Sequence, residues 1–269
     1  MTDDVLDVAG DQFDMSTIPH GNPSAASEVA NEIVALQQQV ADSSALSLLL
    51  IGASLCNDAE LELDRENDAF LAVGDPTESA LAVAAARLGL HKDQMLTRLP
   101  REAELPFDSD RKRMTTVHHL ASSPGTENEA ISATLRPIVE LCGEHLAFTK
   151  GAVDSILSAC DYVWHEDEPK RIDKDWQRRI EEGNERLAAK GMRVLGVAFR
   201  PLDEQDSIGS CLESVEQQLI FLGMLGMIDP ARPEVAQAVA RCRSAGIRPL
   251  MITGDHPLTA KHIARELRI

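Results

Sequence analysis

Two short segments carry most of the information in this sequence: Leu105-Pro106-Phe107-Asp108-Ser109-Asp110-Arg111-Lys112 and Phe148-Thr149-Lys150-Gly151-Ala152. The first places an aromatic ring before a polar and basic run, and an exposed aromatic face can stack on a base. The second ends an apolar strand with a lysine where the free amides of a following helix favour anions. Together they can hold a purine ring and a polyphosphate. Two plainer interpretations stay open: Lys150 as a solvated turn lysine and Phe107 as a core side chain.

The surrounding sequence predicts a sheet covered by helices. Short apolar runs bounded by turn residues predict strands at Met114–Leu120, Ile138–Cys142, His145–Thr149 and Arg193–Phe199. Helices are predicted at Ala26–Val40, Ser44–Leu55, Ala152–Cys160 and Asp175–Ala189, and a small hairpin is predicted around Gly10. The helix at Ser44–Leu55 is apolar nearly all round, which predicts burial on more than one side.

Gly74-Asp75-Pro76-Thr77-Glu78 introduces the clearest helix in the chain. Asp75 can cap it, Pro76 suits the first helical position, and Glu78 completes an arrangement like a capping box. Glu78 therefore has a structural explanation. A carboxylate also has lone pairs to spare for the exocyclic amine of adenine, so both roles can coexist.

From Leu219 the pattern changes to a strand at Phe221–Ile228, a helix near Pro233, a strand at Arg248–Ile252 and a helix after Pro257. This βαβα order is typical of a parallel, doubly wound sheet and predicts a domain boundary near Leu219.

Three further sites are candidates for phosphate chemistry. Asp229 and Thr253-Gly254-Asp255 follow two of these predicted strands, where open α/β sheets build ligand sites. Arg193 begins another strand and can clamp a diphosphate, although helix-end electrostatics would explain a basic residue there equally well.

Composition restricts the class of partner. The chain has 269 residues, with 26 Lys and Arg against 44 Asp and Glu, so its formal net charge of -18 disfavours nucleic acid and anionic membrane surfaces. Its five well-separated cysteines predict free thiols in a reducing cytosol. No basic leader and no window of about 20 apolar residues is present, which predicts a soluble chain.

Six segments, in this order, resemble the P-type ion-motive ATPases, and the closest likeness is to the branch of calcium, sodium-potassium and proton pumps. They are Leu55-Cys56-Asn57-Asp58-Ala59, Gly74–Glu78, Leu105–Phe107 with Arg111-Lys112, Phe148–Ala152, Gly223–Pro230 and Thr253–Asp255. The resemblance implies an α+β fold. Residues 1–218 would form a nucleotide-binding domain, an antiparallel sheet with helices. Residues 219–269 would begin the second half of a phosphorylation domain of haloacid-dehalogenase type, with an incomplete βαβα segment.

The resemblance also implies roles for single residues. Phe107 would stack on adenine, Glu78 and Lys112 would border the base, Lys150 with Gly151 would line the pocket, and Arg193 would reach the phosphates. Thr253, Gly254, Asp255 and Asp229 would face the terminal phosphate. Calcium pumps of this family often carry an arginine where Ser109 stands, and Arg111 or Arg113 is expected to replace that contact in part.

The family's Asp-Lys-Thr-Gly-Thr phosphorylation segment occurs nowhere in these residues, and neither does its Gly-Asp-Gly-x-Asn-Asp metal-binding segment. The expectation is therefore an excised, soluble, cytoplasm-facing piece of an integral membrane pump. It would bind ATP but not turn it over. Mg²⁺ would accompany ATP in the parent, whose remaining phosphorylation, actuator and membrane domains would be its partners.

Two alternatives stay open. A free-standing phosphatase of haloacid-dehalogenase type would use Asp229 as nucleophile, although Ala231 stands where a second aspartate is typical. A non-catalytic module would sense nucleotide or dock a partner.

Overall fold

The computed structural model describes residues 34–38, 40, 43–64, 69–120, 135, 138, 141, 143–202, 212–227, 233–252 and 257–269. The chain divides into two compact units, Met1–Ile172 with Gly196–Gly223 and Asp173–Leu195 with Met224–Ile269. The units are interleaved along the sequence, whereas the sequence predicts one boundary between residues 218 and 219. That boundary stays a prediction about the domains of a longer protein.

The elements, in chain order, are α1 (Ser44–Leu55), β1 (Glu60–Asp64), β2 (Ala69–Val73), α2 (Pro76–Arg87), α3 (Lys92–Arg98), β3 (Arg101–Asp108), β4 (Arg113–His119), β5 (His145–Gly151), α4 (Val153–Ala159), β6 (Cys160–His165), β7 (Glu168–Arg171), α5 (Lys174–Ala189), β8 (Arg193–Leu202), a 3₁₀ helix (Leu212–Glu216), β9 (Leu219–Met227), α6 (Pro233–Ser244) and α7 (Pro257–Glu266). The predicted helices at Ser44–Leu55 and after Pro76 and the predicted strands near β4, β5, β8 and β9 are confirmed.

The main sheet has seven strands in the order β3-β4-β5-β8-β9-β6-β7, and β1 and β2 form a separate hairpin. The pairs β3–β4, β4–β5, β5–β8 and β6–β7 are antiparallel, but β6 pairs parallel to β9. The α+β class is therefore confirmed. The seven-stranded sheet as a whole is mixed, because β9 pairs parallel to β6; β9 begins at Leu219, outside residues 1–218, for which the antiparallel sheet is predicted.

Helix α1 forms the apolar layer over this sheet. The side-chain oxygen of Ser43 caps it by accepting from the Leu46 amide. Every residue from Leu46 to Leu55 is buried, which confirms the prediction from its apolar sequence. At Gly52 a β-carbon would lie 2.7 Å from Cδ1 of Phe148, so the missing side chain lets α1 approach β5 closely.

Other predictions are wrong, incomplete or outside the described residues. Ile138 is helical, so the predicted strand at Ile138–Cys142 is wrong there. The sequence analysis missed the hairpin β1–β2 and strand β3. The predicted hairpin around Gly10 lies outside the described residues, as does most of the predicted helix at Ala26–Val40.

In the second unit, α5 is capped by Asp173, whose carboxylate accepts from the amides of Asp175 and Trp176. The predicted strand Arg248–Ile252 is wrong, because these residues have no regular structure. Leu250 and Ile252 are 80% and 96% exposed, and no described strand supplies the hydrogen bonds that a strand needs. The haloacid-dehalogenase-type segment stays a prediction.

Over the described part of the chain, every helix is too short or too polar to cross a bilayer. Three of the five cysteines fall in this part with a described side chain, and Cys56, Cys160 and Cys242 are all free thiols.

One buried titratable group gives the first unit a testable dependence on pH. His118 is fully buried, with Nδ1 2.8 Å from the Leu99 carbonyl oxygen and Nε2 2.8 Å from Thr116 Oγ1. Burial lowers the pKa of His118 from its usual 6.5 to about 4, and the charges of Arg101 and Lys92 act in the same direction. The unfolded chain therefore binds a proton between these two pH values that the folded chain does not, so stability falls as the pH drops.

We predict that His118→Gln reduces this loss, since glutamine keeps a donor and an acceptor but does not titrate. The loss of unfolding free energy between pH 6.5 and 4 should be smaller in the variant by about 3 kcal/mol, measured by urea denaturation at each pH. Other groups titrate in both proteins, so the difference reports His118. Equal losses in the two proteins would contradict the prediction.

Candidate functional site

Lys150 lies near the end of β5, between Met114 of β4 and Val197 of β8. Its side chain is only 8% exposed, and its Nζ donates to Oε1 of Glu78 at 2.5 Å. An unpaired ammonium at such a depth would cost several kcal/mol, so the carboxylate is what allows the lysine to be there. The interpretation of Lys150 as a solvated turn lysine is wrong.

Glu78 reaches this position from the first turn of α2. Asp75 caps the helix, accepting from the amides of Thr77 and Glu78. The second carboxylate oxygen of Glu78, Oε2, accepts from the Asp58 amide at 2.9 Å. Glu78 thus joins α2, β5 and the loop that follows α1.

The loop after α1 is held by two cations that the sequence patterns did not single out. The Lys92 ammonium donates to the carbonyls of Asn57 and Ala59, both at 2.7 Å, and burial lowers its pKa. Arg101 pairs with Asp58 at 2.7 Å. Both cations are more than thirty residues away along the chain, so no local pattern could have identified them.

Phe107 is 64% exposed on β3, one of the two edge strands of the described sheet, so it is not a core side chain. The pairing register shifts between Leu105 and Asp108, which leaves the two residues between them opposite Met114 alone. Met114 is also the neighbour of Lys150. The register therefore places Phe107 and Lys150 on either side of one residue of β4.

Lys112 lies in the turn between β3 and β4 with a left-handed backbone, φ 51°. Its side chain is 59% exposed, and its Nζ is 3.9 Å from a carboxylate oxygen of Asp154. Its carbonyl accepts from the Ala152 amide at 3.0 Å. A β-carbon on Gly151 would lie 2.4 Å from that carbonyl oxygen, so only glycine lets β5 pass so close to the turn.

The basic residues expected to replace the missing arginine at Ser109 are both engaged elsewhere. Arg111 and Arg113 bind the carboxylate of Glu216, at 2.5 Å and 2.7 Å. Neither guanidinium can contact a phosphate as a free counter-charge while it keeps this bond.

The remaining predicted site residues are not brought together with Phe107, Lys150 and Glu78 by the described part of the structure. Arg193 is the first residue of β8, exposed, and belongs to the second unit. Asp229, Thr253, Gly254 and Asp255 lie outside the described residues. The roles of all five stay predictions.

Comparison with known proteins agrees with this arrangement of strands and helices. Residues 45–234 match the family described as P-type ATPase, cytoplasmic domain N. The chain belongs to the P-type ATPase family. The resemblance on which the sequence interpretation rests is therefore confirmed, and the matched range includes α2, the β3–β4 turn and β5.

Curated relatives include two calcium-transporting ATPases, from Bacillus cereus and Bacillus subtilis, which are 36% and 34% identical to this chain over 222 residues. A sodium/potassium-transporting ATPase subunit alpha-1 from Oreochromis mossambicus is 32% identical over 226 residues. These matches cover 82%, 82% and 81% of this chain. The chain spans about a fifth of the length of these relatives, between 20% and 22%.

The buried pair of this P-type ATPase domain makes a thermodynamic prediction. Lys150→Met leaves Glu78 without its ammonium partner, and Glu78→Gln leaves a buried cation without a counter-charge. Each single variant should lower the free energy of unfolding by about 2 to 3 kcal/mol. This loss is at the lower end of the range for breaking a buried ion pair, because the Glu78 side chain is 17% exposed. The double variant should lose at least about 1 kcal/mol less than the sum of the singles.

Urea denaturation of the four proteins measures this coupling. The matched control is the exposed pair Arg178–Asp175 on α5, whose side chains are 64% and 79% exposed. Arg178→Met should change stability by less than about 0.5 kcal/mol. Strict additivity of the Lys150 and Glu78 variants would mean that the two side chains do not support each other.

Proposed function

We propose that this chain binds an adenine nucleotide, as the nucleotide-binding part of a P-type cation pump. The observation that carries the proposal is the exposed ring of Phe107 on the edge strand, one residue of β4 away from the buried Lys150–Glu78 pair. A single exposed aromatic side chain is ordinary on a protein surface. Its combination with a buried, ion-paired lysine and an exposed Lys112 at the same end of the sheet supports a binding role.

The three groups would make different contacts with the ligand. The Phe107 ring would stack on the purine, which contributes about 1 to 3 kcal/mol per base in comparable sites. Glu78 has lone pairs beyond those used by Lys150 and Asp58, and one can accept from the adenine amine. Lys112, the more exposed of the two lysines, would border the base on the side of the phosphates, while Lys150 would orient Glu78.

Magnesium is proposed only as a companion of ATP in a complete pump. Within the described ranges, no group of three or more His, Cys, Asp or Glu side chains could hold a metal ion. Mg²⁺ would neutralise charge on the transferring phosphate, but the described residues give no basis for a metal step in this chain.

We also propose that this chain does not hydrolyse the nucleotide, because its 269 residues contain no Asp-Lys-Thr-Gly-Thr segment to accept a phosphoryl group. Phosphoryl transfer needs donor and acceptor held in line, and a nucleotide site alone does not provide this. The acceptor, the actuator domain and the ion pathway would belong to the rest of the pump.

Titration with ATP, ADP, GTP and tripolyphosphate by isothermal calorimetry tests the binding proposal. We expect ATP and ADP to bind more tightly than tripolyphosphate, since the base supplies much of the affinity. Phe107→Ala should weaken ATP binding about tenfold and leave tripolyphosphate unchanged. Leu141→Ala is the control: Leu141 is also an exposed apolar residue, 42% exposed, but lies before the start of β5, away from Lys150.

Tripolyphosphate that competes as well as ATP would contradict base recognition. The same solutions, with Mg²⁺ present, should release no inorganic phosphate above a blank in a colorimetric assay. Sustained release that follows the protein concentration would contradict the proposed lack of turnover.

A further inference from the structure

Glu216 is a buried carboxylate at the end of the 3₁₀ helix, 2% exposed, on the side of β4 that Arg113 and Thr115 face. It accepts three side-chain hydrogen bonds: from Arg111 at 2.5 Å, from Arg113 at 2.7 Å and from Thr115 at 2.8 Å. Burial alone would raise the pKa of Glu216, but these hydrogen bonds outweigh it and the pKa lies below its usual value. Glu216 is therefore an ionised group within the first unit.

The two arginines carry the effect of Glu216 to opposite sides of the β3–β4 turn. The second terminal nitrogen of Arg111 donates to the Pro106 carbonyl at 2.9 Å. Arg113 donates instead to the carbonyl and hydroxyl of Ser155, at 3.2 Å and 3.1 Å. Arg111 thus contacts the residue directly before Phe107, whereas Arg113 contacts α4.

The place that Arg111 reaches is a weak point of the strand pairing. The two residues between Leu105 and Asp108 stand opposite one residue of β4, so they cannot both take part in the regular ladder. Among the strands that the structure describes, β3 has only β4 beside it, so no second neighbour there compensates for this. A hydrogen bond from the half-buried guanidinium of Arg111, which is paired with Glu216, to the Pro106 carbonyl fixes the backbone at that point.

The same residues do not form an anion site of their own. Arg111, Lys112 and Arg113 line an open depression of about 510 Å³ together with Asp110, Asp154 and Ser155. The single charge of Glu216 offsets one of the two guanidinium charges, and Asp110 and Asp154 bring two further negative charges to the depression. The cluster is therefore organised to hold the turn and has little net charge with which to attract a phosphate.

We infer that Glu216 is a positioning residue for nucleotide binding, which acts through Arg111 and the Pro106 carbonyl to set the ring of Phe107 against the purine. The inference rests on the proposed function, because it assigns a role in base recognition. Its consequence is specific: loss of the Arg111 link should reduce the preference for a purine, whereas loss of the Arg113 link should not.

The test compares Arg111→Lys with Arg113→Lys. Each keeps its positive charge beside Glu216, but the single ammonium of lysine cannot replace a guanidinium that bridges two partners. The readout is purine preference, the ratio of the dissociation constants of tripolyphosphate and ATP, with the thermal midpoint measured on the same samples. Arg111→Lys should lower the preference about fivefold, as expected for partial loss of stacking. Arg113→Lys should change it by less than about twofold at a comparable loss of midpoint.

Glu216→Gln and Glu216→Asp complete the test. Glutamine removes the charge that holds both guanidinium groups and should lower the purine preference at least as far as Arg111→Lys. Aspartate keeps the charge and should restore part of the preference. If Glu216→Gln does not fold, the two arginine variants decide alone.

The outcomes separate this inference from the proposed function. Absence of purine preference in the unmodified chain, or its survival in Phe107→Ala, would overturn the proposed function and this inference with it. Purine preference that is lost in Phe107→Ala but retained in Arg111→Lys and Glu216→Gln would overturn the inference alone. Equal effects of the two arginine variants, in proportion to their loss of thermal midpoint, would also overturn it.

Discussion

The candidate site depends on one buried ion pair. Lys150 and Glu78 are 72 residues apart in the sequence, and their contact at 2.5 Å links the central sheet to the first turn of α2. Removing two charges from water is costly, and the pair repays this only when the remaining hydrogen-bonding groups are also satisfied. Here the Asp58 amide donates a hydrogen bond to the second carboxylate oxygen of Glu78. Lys92 and Arg101 hold the loop that carries this amide. The position of Lys150 is thus specified by Glu78, and the position of Glu78 depends on the loop that Lys92 and Arg101 hold.

One face of β4 packs in the apolar core under α1, and the other face contacts the cluster around Glu216. His118 on one face packs against Phe148, whose ring also meets α1 at Gly52. Thr115 on the other face joins the cluster around Glu216, and Val117 joins a small apolar core with Ala147, Leu202 and Val215. Successive residues of a strand point to opposite faces, so one short strand serves both layers. The turn at its start, which carries Lys112, is therefore tied to both layers of the first unit.

The sequence predicted the parts of this fold that depend on local chemistry. The apolar run Ser44–Leu55 and the Asp75-Pro76 start of α2 specify their helices without help from distant residues. The prediction of a strand at Arg248–Ile252 is wrong because a strand needs a neighbouring strand to pair with, and a local sequence pattern does not show whether one is present. The residue types around Phe107, Lys150 and Glu78 suggested contacts with a nucleotide, and the family resemblance was needed to assign all three to one pocket. Lys92, Arg101 and Glu216 were missed because their partners are distant along the chain and each is an unremarkable charged residue in its own segment.

The charge of the site differs from what a count of basic residues suggests. Four cations lie at this end of the first unit, Arg111, Lys112, Arg113 and Lys150, but they share the carboxylates of Glu78, Asp154 and Glu216. Most of their charge is therefore compensated within the protein, in a chain whose formal net charge is -18. An anionic ligand would gain little from the overall field. The proposed recognition of a nucleotide would then rest mainly on the geometry of the aromatic ring and of a few hydrogen-bonding groups. Such geometry requires a fixed backbone, which is what the compensated arginines provide at the β3–β4 turn.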